Sequence, residues 1–288
     1  MQKKASLVVL GLVLLLLAAL LLHRGPMEQK PVRPEPRARS KPPSEVPALH
    51  STSAAELAPA GGAVAASPPV AVPGLPGTVR GMVKIRGEVP PRKTARIQSD
   101  PKCEAMHAGI VLVDQLVVDA SGNVQWAFVQ VKSGPIGTPP PASATPVLLD
   151  QIRCVFTPHM VGVRAGQPVR VRSSDDLLHN VHGLPFLNRE FNIGLPVAGM
   201  EDERTFYTPE LFLIKCDIHP WMRAWVGVVV HPYWSITNEL GSYAIRDLPP
   251  GRFTIEVWHE VYKPVTREID VPPGGDVELD FVLDAKRD

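Results

Sequence analysis

Proline is the residue that most limits what this chain can fold into. The sequence has 32 prolines among 288 residues, roughly twice the average usage. Because helix interiors exclude proline, these residues must lie in linkers, turns and strand edges, which excludes a large helical domain. Twelve of them fall between Pro26 and Pro76, in a stretch without tryptophan, tyrosine or phenylalanine. Such a stretch buries too little apolar surface to fold, so we predict a disordered, partly polyproline linker over residues 25–76.

The first 24 residues have the composition of a membrane segment. Lys3 and Lys4 precede an uncharged, almost wholly apolar run of 18 residues, from Ala5 to Leu22. This run is longer than the core of a signal peptide, about 7–15 residues, and just long enough to span a bilayer. We therefore predict a transmembrane signal anchor over residues 1–24, with a cleaved signal peptide as the alternative.

Two features of the N-terminal region disagree about the orientation of this anchor. Six basic residues follow the apolar run before residue 42, and the positive-inside rule would keep the rest of the chain in the cytoplasm. The two lysines before the apolar run, Lys3 and Lys4, are typical of export signals, however. The candidate metal ligands of the folded part also suit an exported protein. We expect a periplasmic or cell-surface protein anchored in the membrane, or a secreted one if the signal is cleaved.

The charge of the chain is nearly balanced, at +1. Residues 1–76 contain 8 of the 30 basic and 4 of the 29 acidic residues, so residues 77–288 have a net charge of −3. A nucleic-acid-binding domain needs a basic excess on its folded part. We therefore expect no nucleic-acid partner.

The region from Gly77 onward has the pattern of many short strands. Apolar runs and alternating stretches are separated by turn residues, and no segment of helical length has a helical apolar stripe. The pattern predicts an all-β fold, a sandwich or a barrel. A turn-rich unit after residue 230 is too small for a core of its own, so we predict two packed domains, 77–230 and 231–288. The candidate strands are Val79–Ile85, Leu112–Val118, Val124–Val131, Pro168–Arg172, Leu211–Cys216, Trp225–Val230, Arg252–Trp258 and Val277–Leu283.

Two segments carry side chains that bind metals. A predicted strand ends at Cys216, and the loop after it contains His219 and Met222. Upstream, His179 and His182 follow another apolar run and could supply a second imidazole. One thiolate and two imidazoles in a plane, with a weak axial thioether, form a blue-copper electron-transfer site. The sequence therefore predicts copper binding with no position left open for a substrate.

The Cys216-x-x-His219-x-x-Met222 spacing, with His179-Asn180 upstream, resembles the copper-binding signature of the cupredoxins and is most similar to the amicyanin type. The resemblance implies one type 1 copper with His179, Cys216, His219 and Met222 as its ligands. It also implies that Asn180 joins the two ligand loops by hydrogen bonds. By the same resemblance, His219 lies nearest the surface and passes the electron.

The downstream sequence is similar to bacterial cupredoxin-like proteins that end in a carboxypeptidase regulatory-like, transthyretin-type domain. The similarity rests on a His-Pro-Tyr segment after the copper strand and on a Leu-Pro-Pro-Gly…Trp-His-Glu tail. It implies a cupredoxin Greek-key sandwich over 77–230, followed by a small transthyretin-like sandwich over 231–288.

Two cysteines have no place in the copper site. In an exported protein, Cys103 and Cys154 would be expected to form a disulfide. The alternative is a second metal site made by Cys103, His107 and His159.

The function that these features predict is electron transfer. We expect a membrane-tethered blue-copper protein that moves single electrons between redox partner proteins outside the cytoplasm. The alternatives are a copper storage or delivery protein and an adhesion module without a metal. We do not expect an enzyme, because a copper enzyme such as nitrite reductase needs a second histidine cluster, and the sequence has no phosphate loop or Gly-x-Ser-x-Gly motif.

Overall fold

The computed structural model describes residues 74–89 and 91–284. It confirms the predicted all-β fold, with one short helix, α1 (Pro101–Ala105), and a 3-10 turn at Ile97–Ser99. Within these residues no helix is long and apolar enough to cross a membrane. The predicted membrane helix, at 1–24, and the linker up to residue 73 lie outside the described residues.

The strands are β1 (Gly77–Arg86), β2 (Phe128–Ser133), β3 (Val147–Ile152), β4 (Val155–Thr157), β5 (Met160–Arg164), β6 (Pro168–Ser173), β7 (His179–Leu184), β8 (Phe191–Leu195), β9 (Glu201–Thr205), β10 (Glu210–Lys215), β11 (Arg223–Val229), β12 (Trp234–Ile236), β13 (Ser242–Leu248), β14 (Gly251–His259), β15 (Tyr262–Val271), β16 (Asp276–Glu278) and β17 (Phe281–Asp284).

The first sandwich is built from a five-stranded and a four-stranded sheet. The strand orders are β5-β11-β10-β7-β8 and β4-β3-β6-β9. Alternation along each strand directs every second side chain inward. Phe212 and Ile214 of β10 are therefore buried in one core with Leu149 of β3 and Val171 of β6. This core supports the loops that carry the predicted metal ligands.

The second sandwich combines strands from both ends of the described chain. One sheet has the order β12-β2-β14-β15, and in the other β1 pairs with β13 and β16, with β17 also on β1. The β1 strand is antiparallel to β13 and parallel to β16 and β17. Val79 and Val83 of β1 are fully buried in the same core as Phe281 and Leu283 of β17.

The division between the two cores differs from the predicted boundary between 77–230 and 231–288. Strands β1 and β2 precede the first sandwich in the chain, yet they pair with C-terminal strands and contribute to the second core. The physical reason is size, since about 55 residues bury too little surface for an independent core. The second sandwich therefore encloses two segments that were expected in the first domain.

Aromatic side chains fill the junction between the two sandwiches. Trp225 of β11 contacts Trp258 of β14 with ring centroids 4.8 Å apart. At Gly162 of β5, a Cβ atom would lie 2.3 Å from the ring of Trp234 of β12. Any larger residue at Gly162 would collide with the Trp234 ring. The two sandwiches are therefore packed directly against each other at this junction.

Candidate metal centre

Strand alternation by itself places three predicted ligands on the inward face of one sheet. Cys216 follows the buried Ile214 by two positions, and Met222 precedes the buried Ala224 by two. His179 precedes the buried Val181 by two in the neighbouring strand β7. Because β7, β10 and β11 are adjacent and antiparallel, their ligand ends meet at the same end of the sheet.

The loop between β10 and β11 adds His219 to this group. The Nδ1 atoms of His179 and His219 are 3.0 Å apart, and Cys216 Sγ is 3.7 Å from His219 Nδ1. One ligand atom from each of the three residues lies within 4.8 Å of the others. All three side chains are buried. They form the only three-residue group of possible metal ligands in 74–89 and 91–284 that contains no disulfide sulfur.

Backbone hydrogen bonds close the ligand loop around these side chains. The Cys216 N–H donates to the Met222 carbonyl at 3.1 Å, and the Met222 N–H donates to the His219 carbonyl at 2.9 Å. The His219 N–H points to Cys216 Sγ at 3.4 Å. Met222 is 1% exposed and belongs to the same core as Cys216. The loop is therefore held in shape by its own backbone.

Each imidazole has a carboxylate on its far side. His179 Nε2 lies 2.9 Å from Asp175 Oδ2, and His219 Nε2 lies 3.2 Å from Asp100 Oδ2. A carboxylate accepts a hydrogen bond, so it favours the tautomer with the proton on Nε2. Both Nδ1 atoms then direct lone pairs at each other across 3.0 Å. Two facing lone pairs in a buried site need a proton or a cation between them, and the residues therefore fit a bound metal ion.

The acid-base properties of the site agree with this geometry. Burial opposes a charge on His179, but the hydrogen bonds to Asp175 and Cys216 outweigh it and raise its pKa to about 9. Burial also opposes the Cys216 thiolate, but hydrogen bonds from His179 and His219, made when a proton and not a metal ion lies between the rings, lower its pKa to about 6. The protein thus stabilises a thiolate at neutral pH, the form that binds a soft metal.

Asn180 connects the two ligand loops. Its Oδ1 accepts a hydrogen bond from the Asp217 N–H at 2.7 Å and lies 3.2 Å from Cys216 Sγ. Its Nδ2 donates to Asn192 at 2.7 Å and to the Asp217 carboxylate at 3.0 Å. Asn180 therefore lies between the β7 end and the Cys216 loop and hydrogen-bonds to the loop.

The C-terminal part of the chain matches a known domain. Residues 226–284 match the family model of the carboxypeptidase regulatory-like domain. This match confirms the domain type that was expected for the C-terminal region. No curated protein matches the chain at a significant level.

Several solved structures are similar to part of the chain. A copper-containing nitrite reductase from Thermus scotoductus SA-01 is 21% identical over 30% of this chain and 22% of its own, with a TM-score of 0.28. A purple cupredoxin from Nitrosopumilus maritimus is 19% identical over 29% of this chain and 99% of its own, with a TM-score of 0.26. A Cu(I) form of an amicyanin variant is 20% identical over 35% of this chain and 98% of its own, with a TM-score of 0.27. The similar region thus spans less than a quarter of the nitrite reductase.

His219, which the resemblance implied to lie nearest the surface, is itself a buried side chain. It is 1% exposed, as buried as Cys216 and Met222. The segment before β2 covers it, because Asp100 caps the first turn of α1 and also faces His219 Nε2. A disulfide between Cys103 of α1 and Cys154 holds this segment against the first sandwich. The covering segment is thus part of the site.

The alternative second metal site is not assembled. Cys103 is bonded to Cys154, His107 Nε2 lies 2.7 Å from the Arg153 carbonyl, and His159 Nε2 lies 2.5 Å from Glu260.

His182, which was not expected to be a ligand, lies between two carboxylates, 2.9 Å from Asp217 and 3.0 Å from Glu190.

Sequence reasoning missed both carboxylates of the site. Asp175 is four residues before His179, a spacing that could have suggested the contact across the turn before β7. Asp100 is 119 residues before His219, and no local pattern connects the two.

Proposed function

We propose that this chain is a type 1 copper protein that transfers single electrons. The observation that supports this most directly is the convergence of one ligand atom each from Cys216, His179 and His219 within 4.8 Å. In the proposal, Cys216, His179 and His219 would hold the copper, with the Met222 thioether as a weaker fourth ligand. These four side chains would hold the copper without help from a substrate, so we propose an electron carrier and not a copper enzyme.

The protein's contribution is to hold the ligands still. The bound copper would supply a one-electron couple between Cu(II) and Cu(I). Cys216 would bind as the thiolate, and Asp175 and Asp100 would hold the Nε2 protons, which leaves both Nδ1 lone pairs available to a metal. All four side chains are buried, and Cys216 and Met222 belong to the core of the first sandwich, which limits the rearrangement that accompanies a change of charge.

The location of the protein is part of the same proposal. The apolar run in residues 1–24 would anchor the chain in a membrane, and residues 25–76 would let the folded part reach redox partner proteins. The Cys103–Cys154 disulfide supports a periplasmic or cell-surface location, since disulfides persist in oxidising compartments.

Copper storage or delivery is the second candidate function, and the burial of His219 favours it. An electron carrier that exchanges electrons quickly needs a short path from its metal to the surface, whereas Asp100 covers this ligand. Reversible redox cycling with fast electron self-exchange would support the first function. Copper transfer to a metal-free acceptor without redox turnover would support the second.

The central test is a titration of the full-length protein with Cu(II), followed by visible absorption. We expect an intense thiolate-to-copper band that saturates at one equivalent, and we expect Cys216→Ser to abolish it. His182→Gln is the matched control, because His182 is in the same strand as His179 but faces Asp217 and Glu190; its band should be retained. A missing band in the wild type, or a band that survives Cys216→Ser, would overturn the proposal.

A further inference from the structure

A cavity lies beside the ligand loop and has no part in the proposed electron transfer. Its volume is about 520 Å³, within the range of about 300–1,000 Å³ that is typical of sites for small ligands. Part of its wall is apolar and includes Val111, Phe156, Trp221 and Met222. Phe156 and Met222 belong to the buried core, and Val111 and Trp221 pack against it. The cavity thus has one wall made by a rigid part of the fold.

Most of the charged side chains that line the cavity are basic. Two of the side chains that line the cavity already have an oppositely charged partner outside it: Asp114 forms an ion pair with Arg92 at 2.6 Å, and His159 faces Glu260. Three further cations line the cavity: Lys93, Arg96 and Arg223. Within 74–89 and 91–284, none of these three forms a side-chain ion pair or hydrogen bond. The charges that remain available to a ligand are therefore all positive.

From this arrangement we propose that the cavity binds a small organic anion with a planar apolar body. The apolar wall would bury the body, and the unpaired cations would bind its negative group. A planar body is favoured because Trp221 offers a ring that the rest of the fold fixes. Its Nε1 donates to the Cys154 carbonyl at 3.0 Å, and its ring centroid is 5.2 Å from that of His219.

This site goes beyond electron transfer, and binding to it requires no metal. The ligand would nevertheless lie next to the proposed copper site, because Met222 and Trp221 line the cavity and also belong to the ligand loop. Binding can therefore be measured on metal-free protein. A failure of the copper proposal would leave the result unchanged.

The test is isothermal titration calorimetry of full-length, metal-free protein with 2-naphthalenesulfonate. Its matched neutral probe is 2-naphthalenesulfonamide, which has nearly the same shape. We expect the sulfonate to bind with a stoichiometry of one and the sulfonamide to bind about tenfold or more weakly, because only the sulfonate carries a negative charge that pairs with the cations.

Three variants locate the binding. Arg223→Gln should weaken sulfonate binding about tenfold, while Arg189→Gln, which removes an exposed cation outside the cavity, should leave it unchanged. Thr94→Trp places a large ring at an exposed position of the cavity wall and should abolish binding. Thermal unfolding of each variant checks that it is folded, and Arg223→Gln still tests the site if Thr94→Trp does not fold.

Several outcomes would overturn the inference. No saturable binding of the sulfonate would do so, and so would equal affinities for the two probes. Wild-type affinity in Arg223→Gln or in a folded Thr94→Trp variant would place the binding elsewhere.

Discussion

The Nδ1 atoms of His179 and His219 lie 3.0 Å apart, and the Nε2 atom of each ring faces a carboxylate oxygen. The two carboxylates come from different places: Asp175 from the turn before β7, and Asp100 from the segment that covers the site. Because the two carboxylates belong to different parts of the fold, we expect substitution of Asp175 and of Asp100 to change different properties of the site.

Asp175→Asn should weaken copper binding by roughly 10- to 100-fold. Asp175 is 5% exposed and orients the imidazole of His179, and its oxygens also accept hydrogen bonds from the Arg153 and Cys154 backbone. Competition with a chelator of known affinity measures the effect. Asp176→Asn is the control, because Asp176 is the exposed neighbour, and its affinity should equal that of the wild type. Equal affinities for all three proteins would show that Asp175 does not support the ligand.

Asp100→Asn should raise the reduction potential of the copper site, by something on the order of 50–100 mV. The hydrogen bond with His219 lowers the pKa of Asp100, so the residue is negatively charged at neutral pH. A nearby negative charge stabilises the more positively charged, oxidised metal. Protein film voltammetry measures the potential. Glu104→Gln, on the exposed side of α1, should leave the potential unchanged, and an equal shift in both variants would indicate a general charge effect.

Replacing both cysteines of the Cys103–Cys154 disulfide with serine should lower the free energy of unfolding by about 4 kcal/mol. The bond closes a loop with a sequence separation of 51 residues, and the unfolded chain gains entropy when the loop is opened. Denaturant unfolding measures the change, and peptide mapping without reduction verifies the bond in the wild type. A loss below about 1 kcal/mol would mean that the crosslink does not constrain the unfolded chain as expected.

Val83→Ala should destabilise the second sandwich by about 2 kcal/mol. Val83 is fully buried in β1 and is paired with Phe281 of β17, so the truncation opens a cavity in the C-terminal core. The neighbouring Lys84→Ala is the control, because its side chain is exposed. Unfolding followed by tryptophan fluorescence measures both variants. Equal stability of the two would contradict the inclusion of β1 in this core.

The stability of the wild type should fall as the pH is lowered from about 6.5 to 4. Burial, mainly, lowers the pKa of His259 to about 4, so in this window the unfolded chain binds a proton that the folded chain does not. The expected slope is at most about 1.4 kcal/mol per pH unit. Chemical unfolding across this range should show a smaller slope for His259→Gln, while acidic groups contribute equally to both proteins. Identical slopes would show that His259 is protonated in the folded state.

Local sequence was sufficient to predict several strands and the inward direction of three of the four proposed ligands. The candidate strand Leu112–Val118 was wrong, because these residues form only isolated bridges, at Leu112 and Val118. A period of two places the Cys216 and Met222 side chains on the face that Ile214 and Ala224 bury, and the same holds for His179 and Val181. The short spacing from Cys216 to His219 keeps the fourth ligand in the same loop. These relationships need only the geometry of a strand and a turn, which neighbouring residues specify.

Only the tertiary structure decided which distant segments complete each unit. Strands β1 and β2 belong to the second sandwich because its C-terminal strands need partners from elsewhere in the chain. Asp100 faces His219 because α1 is bonded to the first sandwich through Cys103 and Cys154. Such contacts depend on packing between residues far apart in the chain. The sequence could therefore predict the proposed ligands but could not reveal that a carboxylate covers one of them.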